Sequence, residues 1–248
     1  LKPDRSIERY KDVLKLFPAE TEQVCVEIKE LLGTFPDFPE AYLLLANIYI
    51  DQKNYSEAVA LFNKVLRIDP QKYVEEAIIG YSRVLEVCPE QALALQSLGE
   101  LYMAKKELAQ AVQQFNKLLM LSPEAADYVI DKCRKMLKIR VALDVRRLLG
   151  RAYVLRKDFV RANEEAEFLV KNAPDNAGGY ELLGEVKLAM GKAEEGVRIL
   201  KKALALDPYQ KSVHQALNTA MERSLKAKAR GLEQDLLKDQ HNAQKRLL

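Results

Sequence analysis

The chain has 248 residues, of which 48% are hydrophobic and 30% charged, with a formal net charge of only +3. Ten glycines and nine prolines are few for this length, which disfavours folds built from many turns, such as β-sandwiches and barrels. The apolar fraction excludes general disorder, and the near-neutral charge gives the whole molecule no attraction to nucleic acid or membranes.

The three cysteines indicate a reducing compartment, such as the cytoplasm. Cys25, Cys88 and Cys133 are far apart and lack CxxC spacing, so neither a disulfide framework nor a zinc site is predicted. The longest apolar run, Ala41–Ile50, is half of the roughly 20 residues that a membrane span needs. No signal peptide is visible, and a start at Leu1 rather than methionine is consistent with removal of an upstream segment.

Prolines mark a period along the chain. Six of them follow apolar, helix-like stretches, at spacings of 34, 19, 34, 51 and 34 residues: Pro36, Pro70, Pro89, Pro123, Pro174 and Pro208. Proline lacks a backbone N–H and clashes with the preceding turn, so we expect each one to stop a helix. Three equal intervals predict a repeat of 34 residues.

Each 34-residue unit divides into two segments with helical periodicity. In residues 39–72 the first face carries Tyr42, Leu45, Ala46 and Tyr49, and the second carries Ala58, Leu61, Phe62 and Val65. The same pattern recurs in three further units: 92–125, 143–176 and 177–210.

This pattern resembles the tetratricopeptide repeat, a helix–turn–helix unit whose first helix carries a large residue, Leu, a small residue and Tyr. The resemblance covers residues 39–210. It implies an all-α fold, a right-handed α-solenoid whose first helices line a concave groove for extended or helical peptides. Where the family often has Trp, this chain has Tyr42, Leu95, Arg146 and Tyr180, and only one inter-helix turn has glycine, Gly191.

Two intervals depart from 34 residues. The segment 73–91 fits a second helix alone, and 126–142 is an extra helix-length stretch. Either half-units were lost and gained, or the chain lacks residues at these seams. We favour missing residues, because Lys72–Tyr73 passes directly from a Pro-closed loop into an apparent second helix. A normal peptide distance there would argue against this hypothesis.

The two ends have the character of caps. Residues 1–38 form an N-terminal degenerate repeat or cap, and residues 211–248 form a C-terminal capping helix with a charged tail. An apolar stripe in the tail fits a solubilising cap, since an end repeat has no neighbour to cover it. The alternative is a helix that binds a partner or self-associates. The stripe comprises Leu225, Ala229, Leu232 and Leu236.

Catalytic signatures are absent from the sequence. Its two histidines are His214 and His241, and HExxH, GxSxG and phosphate-binding glycine motifs do not occur. Acidic pairs such as Glu75–Glu76 begin helices, where a negative charge is favourable. We therefore predict a protein that is not an enzyme and has no cofactor and no metal site.

The helical phase of the resemblance implies a set of groove-facing residues. Asn47 fits a carboxylate-clamp pattern of some family members, but Leu43 stands where its lysine belongs, which disfavours a receptor for chaperone tails. Arg147 and Arg151 can fork onto a partner's carboxylate or phosphate, or pair with Glu181 or Glu185 of the next repeat. The full set is Leu43, Leu44, Asn47, Ile50, Gln96, Glu100, Arg147, Arg151, Glu181 and Glu185.

Charge is unevenly distributed. Residues 132–161 hold eleven basic and two acidic residues, a net charge of +9 that leaves −6 for the rest of the chain. This block can face solvent, an acidic protein segment or RNA, although few aromatic residues accompany it for base stacking. The predicted basic patch is Lys132, Arg134, Lys135, Lys138, Arg140 and Arg146.

We predict a non-catalytic scaffold or adaptor that binds an extended or helical protein segment with an acidic end, as a subunit of a larger complex. Two alternatives stay open: a regulatory or substrate-presenting arm of a larger enzyme, and an RNA-binding subunit that uses residues 132–161. Self-association is a further option, because an exposed end repeat can stack on a second copy.

Overall fold

The computed structural model describes residues 3–222 together with Ala229 and Leu232, and all regular structure within these residues is helical. The chain forms two compact units, Leu1–Ser122 and Pro123–Leu248. Leu225 and Leu236 of the predicted tail stripe, and His241, lie outside the described residues. The all-α class predicted from the sequence is confirmed.

The first unit contains seven α-helices among the described residues. They are α1 (Pro3–Leu16), α2 (Thr21–Thr34), α3 (Pro39–Asp51), α4 (Tyr55–Ile68), α5 (Val74–Val87), α6 (Ala92–Ala104) and α7 (Leu108–Leu121). A 3-10 turn, Pro18–Glu20, separates α1 from α2. Each helix packs on its neighbour in sequence, as expected for stacked helix pairs.

The second unit opens with a 3-10 turn at Pro123–Ala125 and continues as a further run of helices. They are α8 (Ala126–Ile139), α9 (Leu143–Leu155), α10 (Phe159–Asn172), α11 (Ala177–Ala189) and α12 (Ala193–Leu206), followed by α13, which begins at residue 211 and is described to residue 222.

Prolines end the second helices as the spacing predicts. Asp69, before Pro70, and Asp207, before Pro208, leave the helical conformation for extended backbone. The ring of a following proline disfavours helical geometry at the preceding residue, so each helix stops there.

The turns inside the helix pairs use the left-handed backbone region. Lys53, Lys106 and Lys157 have φ values of 64°, 62° and 60°, and Gly191 has 80° at the equivalent turn. Glycine adopts this conformation without a steric penalty, whereas the Cβ atom of lysine makes it less favourable. Three of these four turns therefore carry a small strain.

Small residues let the paired helices approach each other closely. A Cβ atom added to Gly99 of α6 would lie 2.6 Å from the Phe115 ring of α7. The ring thus fills the space left by the missing side chain, which is the packing that the small-plus-aromatic pattern predicts.

The single helix α5 takes the place of a first helix in its unit. Helix α5 contacts both α3 and α4, in the same way that the first helix α11 contacts both α9 and α10 in the second unit. Helix α6 in turn contacts both α4 and α5. The rings of Phe62 and Tyr81 meet edge to face, 5.6 Å apart, in the resulting core. Consequently α3 and α5 form one layer of this unit, and α4 and α6 form the other.

Residues 69–73 join α4 directly to α5. The Asp69 side chain accepts hydrogen bonds from the backbone N–H groups of Gln71 and Lys72, at 3.2 and 3.0 Å. The Tyr73 N–H donates to the Asp69 carbonyl at 3.4 Å, which completes a compact turn. Both proposed origins of the half-unit 73–91 stay predictions.

Candidate functional site

On α3 the predicted groove residues are largely used for packing. Leu43 and Leu44 are half-buried; Leu43 packs against two clusters of the core and Leu44 against a third. Ile50 is 5% exposed and lies inside the core that α3 shares with α4, α5 and α6. Of the three predicted apolar groove residues on this helix, Leu43 and Leu44 therefore keep part of their surface exposed and Ile50 does not.

Asn47 holds α5 in place. Its Nδ2 donates to the Leu43 carbonyl at 2.9 Å, and its Oδ1 accepts from Arg83 Nη1 of α5 at 2.5 Å. Arg83 also lies 3.4 Å from the Asp51 carboxylate. Sequence reasoning missed Arg83, because α5 was expected to be a second helix, whose side chains do not face α3.

Gln96 and Glu100 of α6 are not brought together with the α3 residues, since α6 lies in the other layer of the unit. The neighbouring Ser97 hydroxyl donates to Asn63 Oδ1 of α4 at 3.2 Å, which shows that this face of α6 meets α4. Gln96 and Glu100 are themselves half-buried.

In the second unit the structure brings four predicted residues together, on the adjacent helices α9 and α11. Arg151 Nη2 lies 2.9 Å from Glu181 Oε1 and 3.9 Å from Glu185 Oε1. Glu181 is only 1% exposed, and its other oxygen accepts from Gln210 Nε2 at 2.9 Å. Of the two alternatives, Arg151 therefore adopts internal pairing. The sequence analysis did not identify Gln210, because this residue lies in the loop after α12, where helical periodicity gives no information.

Glu185 is the under-compensated carboxylate of this group. Burial raises its pKa to about 7, and the negative charge of Glu181 adds to the rise, while Arg151 and Arg147 oppose it. One guanidinium serves two carboxylates here, so ionising the second is costly. Glu185 is consequently protonated more readily than an ordinary glutamate.

Arg147 is the more available of the two arginines. Its ion pair is with the exposed Asp144 on the same helix, at 3.5 Å, whereas Arg151 pairs with the buried Glu181. The guanidinium lies over the start of α11, where a Cβ atom on Gly178 would be 2.6 Å from Nη1. Gly178 thus leaves room for Arg147 to cross from α9 to α11.

Much of the basic block is neutralised inside the second unit. Arg146 pairs with Glu165 at 2.8 Å and stacks on the Phe168 ring at 3.8 Å. Arg134 is exposed and donates to the Tyr153 hydroxyl at 3.0 Å, an uncharged acceptor, so Arg146 is the one of these two predicted patch residues whose charge is paired.

The remaining predicted patch residues lie along α8 and just after it. Lys132 lies over the Tyr128 ring at 4.8 Å, and Lys135 pairs with Asp131 at 2.7 Å. Lys138 and Arg140 are exposed, near the end of α8.

Catalytic or metal chemistry gains no support in the part of the chain that the structure describes. No group of three or more His, Cys, Asp or Glu side chains there could hold a metal ion. Burial raises the pKa of the Cys133 thiol, which keeps it neutral and unreactive. Among residues 3–222, no helix has the length and apolar character needed to cross a bilayer.

Comparison with known families matches these helix pairs to described repeats. Tetratricopeptide repeat models match residues 27–78, 92–124 and 177–210. These three segments are tetratricopeptide repeats. Two of the matched segments nearly coincide with the repeat units predicted from proline spacing, so the resemblance is confirmed. Tetratricopeptide repeats are typically non-catalytic scaffolds that bind protein partners in complexes.

One curated relative is Anaphase-promoting complex subunit 3 of Schizosaccharomyces pombe, 23% identical over 210 residues. The alignment covers 72% of this chain and 32% of that protein, so the chain spans about a third of the relative's length.

Solved structures with similarity to the chain include a tetratricopeptide repeat protein from Parabacteroides merdae, with 19% identity, a TM-score of 0.36 and coverage of 88% of this chain and 98% of that one. YrrB, described as having an unusual peptide-binding site, has 14% identity, a TM-score of 0.38 and coverage of 76% and 96%. The APC/C Cut9–Hcn1 hetero-tetramer has 13% identity, a TM-score of 0.31 and coverage of 88% and 46%.

Proposed function

We propose that this protein is a non-catalytic scaffold subunit that binds a segment of a partner protein across α9 and α11. The observation that carries the proposal is the shared face of these two first helices. It brings Arg147, Arg151, Glu181 and Glu185 together. Charged side chains from successive repeats meet there beside partly open surface, which suits recognition of a polar chain segment.

The roles of the four residues differ. The Arg151–Glu181 pair sets the geometry of the surface, because Glu181 is buried and both of its oxygens already have donors. Arg147 is the contact residue, since breaking its exposed pair with Asp144 costs little. A carboxylate of the partner would form a charge-assisted, two-point contact with the Arg147 guanidinium.

Membership of a larger assembly is the second part of the proposal. It is supported by the similarity to Anaphase-promoting complex subunit 3, whose name describes a component of a multisubunit complex. The chain covers only part of that protein, so the identity of the partner is left to experiment.

The experiment begins with the full-length protein carrying an affinity tag, purified from its own source, with the co-purifying proteins identified by mass spectrometry. Binding of the partner segment is then measured by isothermal titration for the wild type and Arg147→Glu. We expect Arg147→Glu to weaken binding about tenfold or more, as for loss of a charge-assisted hydrogen bond. The matched control is Arg198→Glu, an exposed arginine on α12, which should change affinity less than about twofold.

If the Arg147→Glu variant binds the partner segment as tightly as the wild type, or if both variants weaken binding equally, the partner does not bind at the proposed surface. If no other protein co-purifies with the tagged protein from its own source, the proposed scaffold function is wrong.

A further inference from the structure

The connection between α8 and α9 differs from the other helix connections within residues 3–222. Each of the others contains a proline or a residue with positive φ, whereas residues 140–142 contain neither. Arg140 (φ −155°, ψ 138°) and Ala142 (φ −130°, ψ 127°) are extended instead. A short stretch of open, extended backbone therefore follows α8.

Apolar side chains are exposed at this connection. Ile139 is 51% exposed and Val141 is 64% exposed. Two aliphatic side chains thus lie in water within three residues of each other, each adjacent in sequence to a basic residue.

The basic residues at this connection have no ionic partner within the described part of the chain. Lys138 and Arg140 are both exposed, and no carboxylate lies within ion-pairing distance of either. This distinguishes them from Lys135 and Arg146, which pair with Asp131 and Glu165. The positive charges of Lys138 and Arg140 therefore reach solvent beside the exposed aliphatic side chains.

We propose that residues 138–141 form a second docking surface, which binds an acidic, extended segment of a partner protein. Carboxylates of that segment pair with Lys138 and Arg140, and one of its apolar side chains covers Ile139 and Val141. Charge complementarity selects the acidic residues, and burial of aliphatic surface at about 25 cal/mol per Å² adds affinity that ion pairs alone do not supply.

A protein segment suits this surface better than RNA. No aromatic residue occurs among residues 138–141, and single-stranded RNA is held largely by stacking of its bases on aromatic side chains. The extended backbone also matches an extended peptide, which can add main-chain hydrogen bonds. This surface goes beyond the proposed function, since it does not use α11.

The test uses a phage-displayed library of random dodecapeptides, panned against the full chain. We expect enrichment of peptides that combine several acidic residues with an aliphatic one. Synthetic copies should bind Lys138→Glu/Arg140→Glu about tenfold more weakly than the wild type, which reflects the loss of two charge-assisted contacts. The matched control is Arg198→Glu/Lys201→Glu on α12, which has the same charge change at exposed positions and should alter affinity less than about twofold.

A second variant separates the apolar contribution from the electrostatic one. Ile139→Ser/Val141→Ser keeps the net charge and should weaken the same peptides about three- to tenfold through loss of buried aliphatic area. All substituted side chains are exposed, so far-UV circular dichroism should show unchanged helix content.

Failure to enrich acidic peptides, or equal affinity for both charge-reversed variants, would overturn the inference. So would a fluorescent oligouridylate that binds the wild type more tightly than the peptides do and is lost in Lys138→Glu/Arg140→Glu. Peptides that lose affinity in Arg147→Glu but not in Lys138→Glu/Arg140→Glu report on the α9–α11 surface, so the two proposals can fail separately.

Discussion

The raised pKa of Glu185 makes the stability of the second unit depend on pH in an unusual direction. Burial and the nearby charge of Glu181 raise this pKa from 4.5 to about 7. Between these values the folded chain keeps a proton that the unfolded chain releases. The free energy of unfolding therefore falls as pH rises through this window. The Glu185→Gln substitution removes the titrating group and should remove this loss.

The magnitude follows from the size of the shift. Each pKa unit corresponds to about 1.4 kcal/mol, so the rise from 4.5 to about 7 limits the cost of ionising Glu185 to about 3 kcal/mol. The side chain is 28% exposed, and solvent reduces the cost further. We expect the stabilisation by Glu185→Gln, relative to the wild type, to grow by about 2 kcal/mol between pH 5 and pH 8.

The assay is urea unfolding followed by circular dichroism at both pH values, because groups common to both proteins cancel in the difference. Glu164→Gln, at an exposed carboxylate on α10, is the control and should give the same small difference at each pH. A Glu185→Gln effect that is equal at pH 5 and pH 8 would refute the reasoning, as would a carboxyl titration of Glu185 by NMR centred near pH 4.5.

Two further pairs of substitutions test the backbone and the packing. Lys157→Gly relieves a left-handed residue (φ 60°) and should raise the free energy of unfolding by about 0.5 kcal/mol, whereas Gly191→Lys (φ 80°) should lower it by a similar amount; urea titrations that give the opposite signs would contradict the turn assignment. Gly80→Ala places a Cβ atom 2.2 Å from the Phe62 ring and should cost about 1–3 kcal/mol. Gly33→Ala adds a Cβ atom with no packing neighbour within 4 Å and should raise the free energy of unfolding by about 1 kcal/mol through helix propensity. Equal changes in melting temperature for the two alanine variants would contradict the packing of α5 on α4.

The helices and their buried faces could be predicted from the sequence. Apolar periodicity identifies the inward face of a helix whatever it packs against, and proline stops it for local steric reasons. On α5, Ala77, Tyr81 and Val84 have the spacing of one helix face, and all three are fully buried in the structure. Local chemistry was sufficient for these features.

The layer that α5 occupies could not be predicted in the same way. Its sequence has the pattern of a second helix, but its position is decided by the neighbours that are available. Without a first helix of its own, α5 packs against α3 and α4. This arrangement brings Arg83 to Asn47, and it moves Gln96 and Glu100 to the other layer.

The candidate site was predictable where the repeat period applies. Arg151 and Glu181 are 30 residues apart, one repeat less one helical turn, and this spacing anticipates their contact between successive first helices. The depth of Glu181 was not predictable, because it depends on Gln210, which comes from the loop after α12. Side chains delivered by loops carry no periodic signal.

The central claim, that a partner segment lies across α9 and α11, is tested most directly by site-specific photocrosslinking in the native assembly. A photoreactive amino acid replaces Val154, which is half-buried near the end of α9, or Arg198 on α12 as the matched position. The account predicts that position 154 crosslinks to one segment of one partner, identified by mass spectrometry, and that position 198 does not. Crosslinks from position 198 without any from position 154 would contradict it.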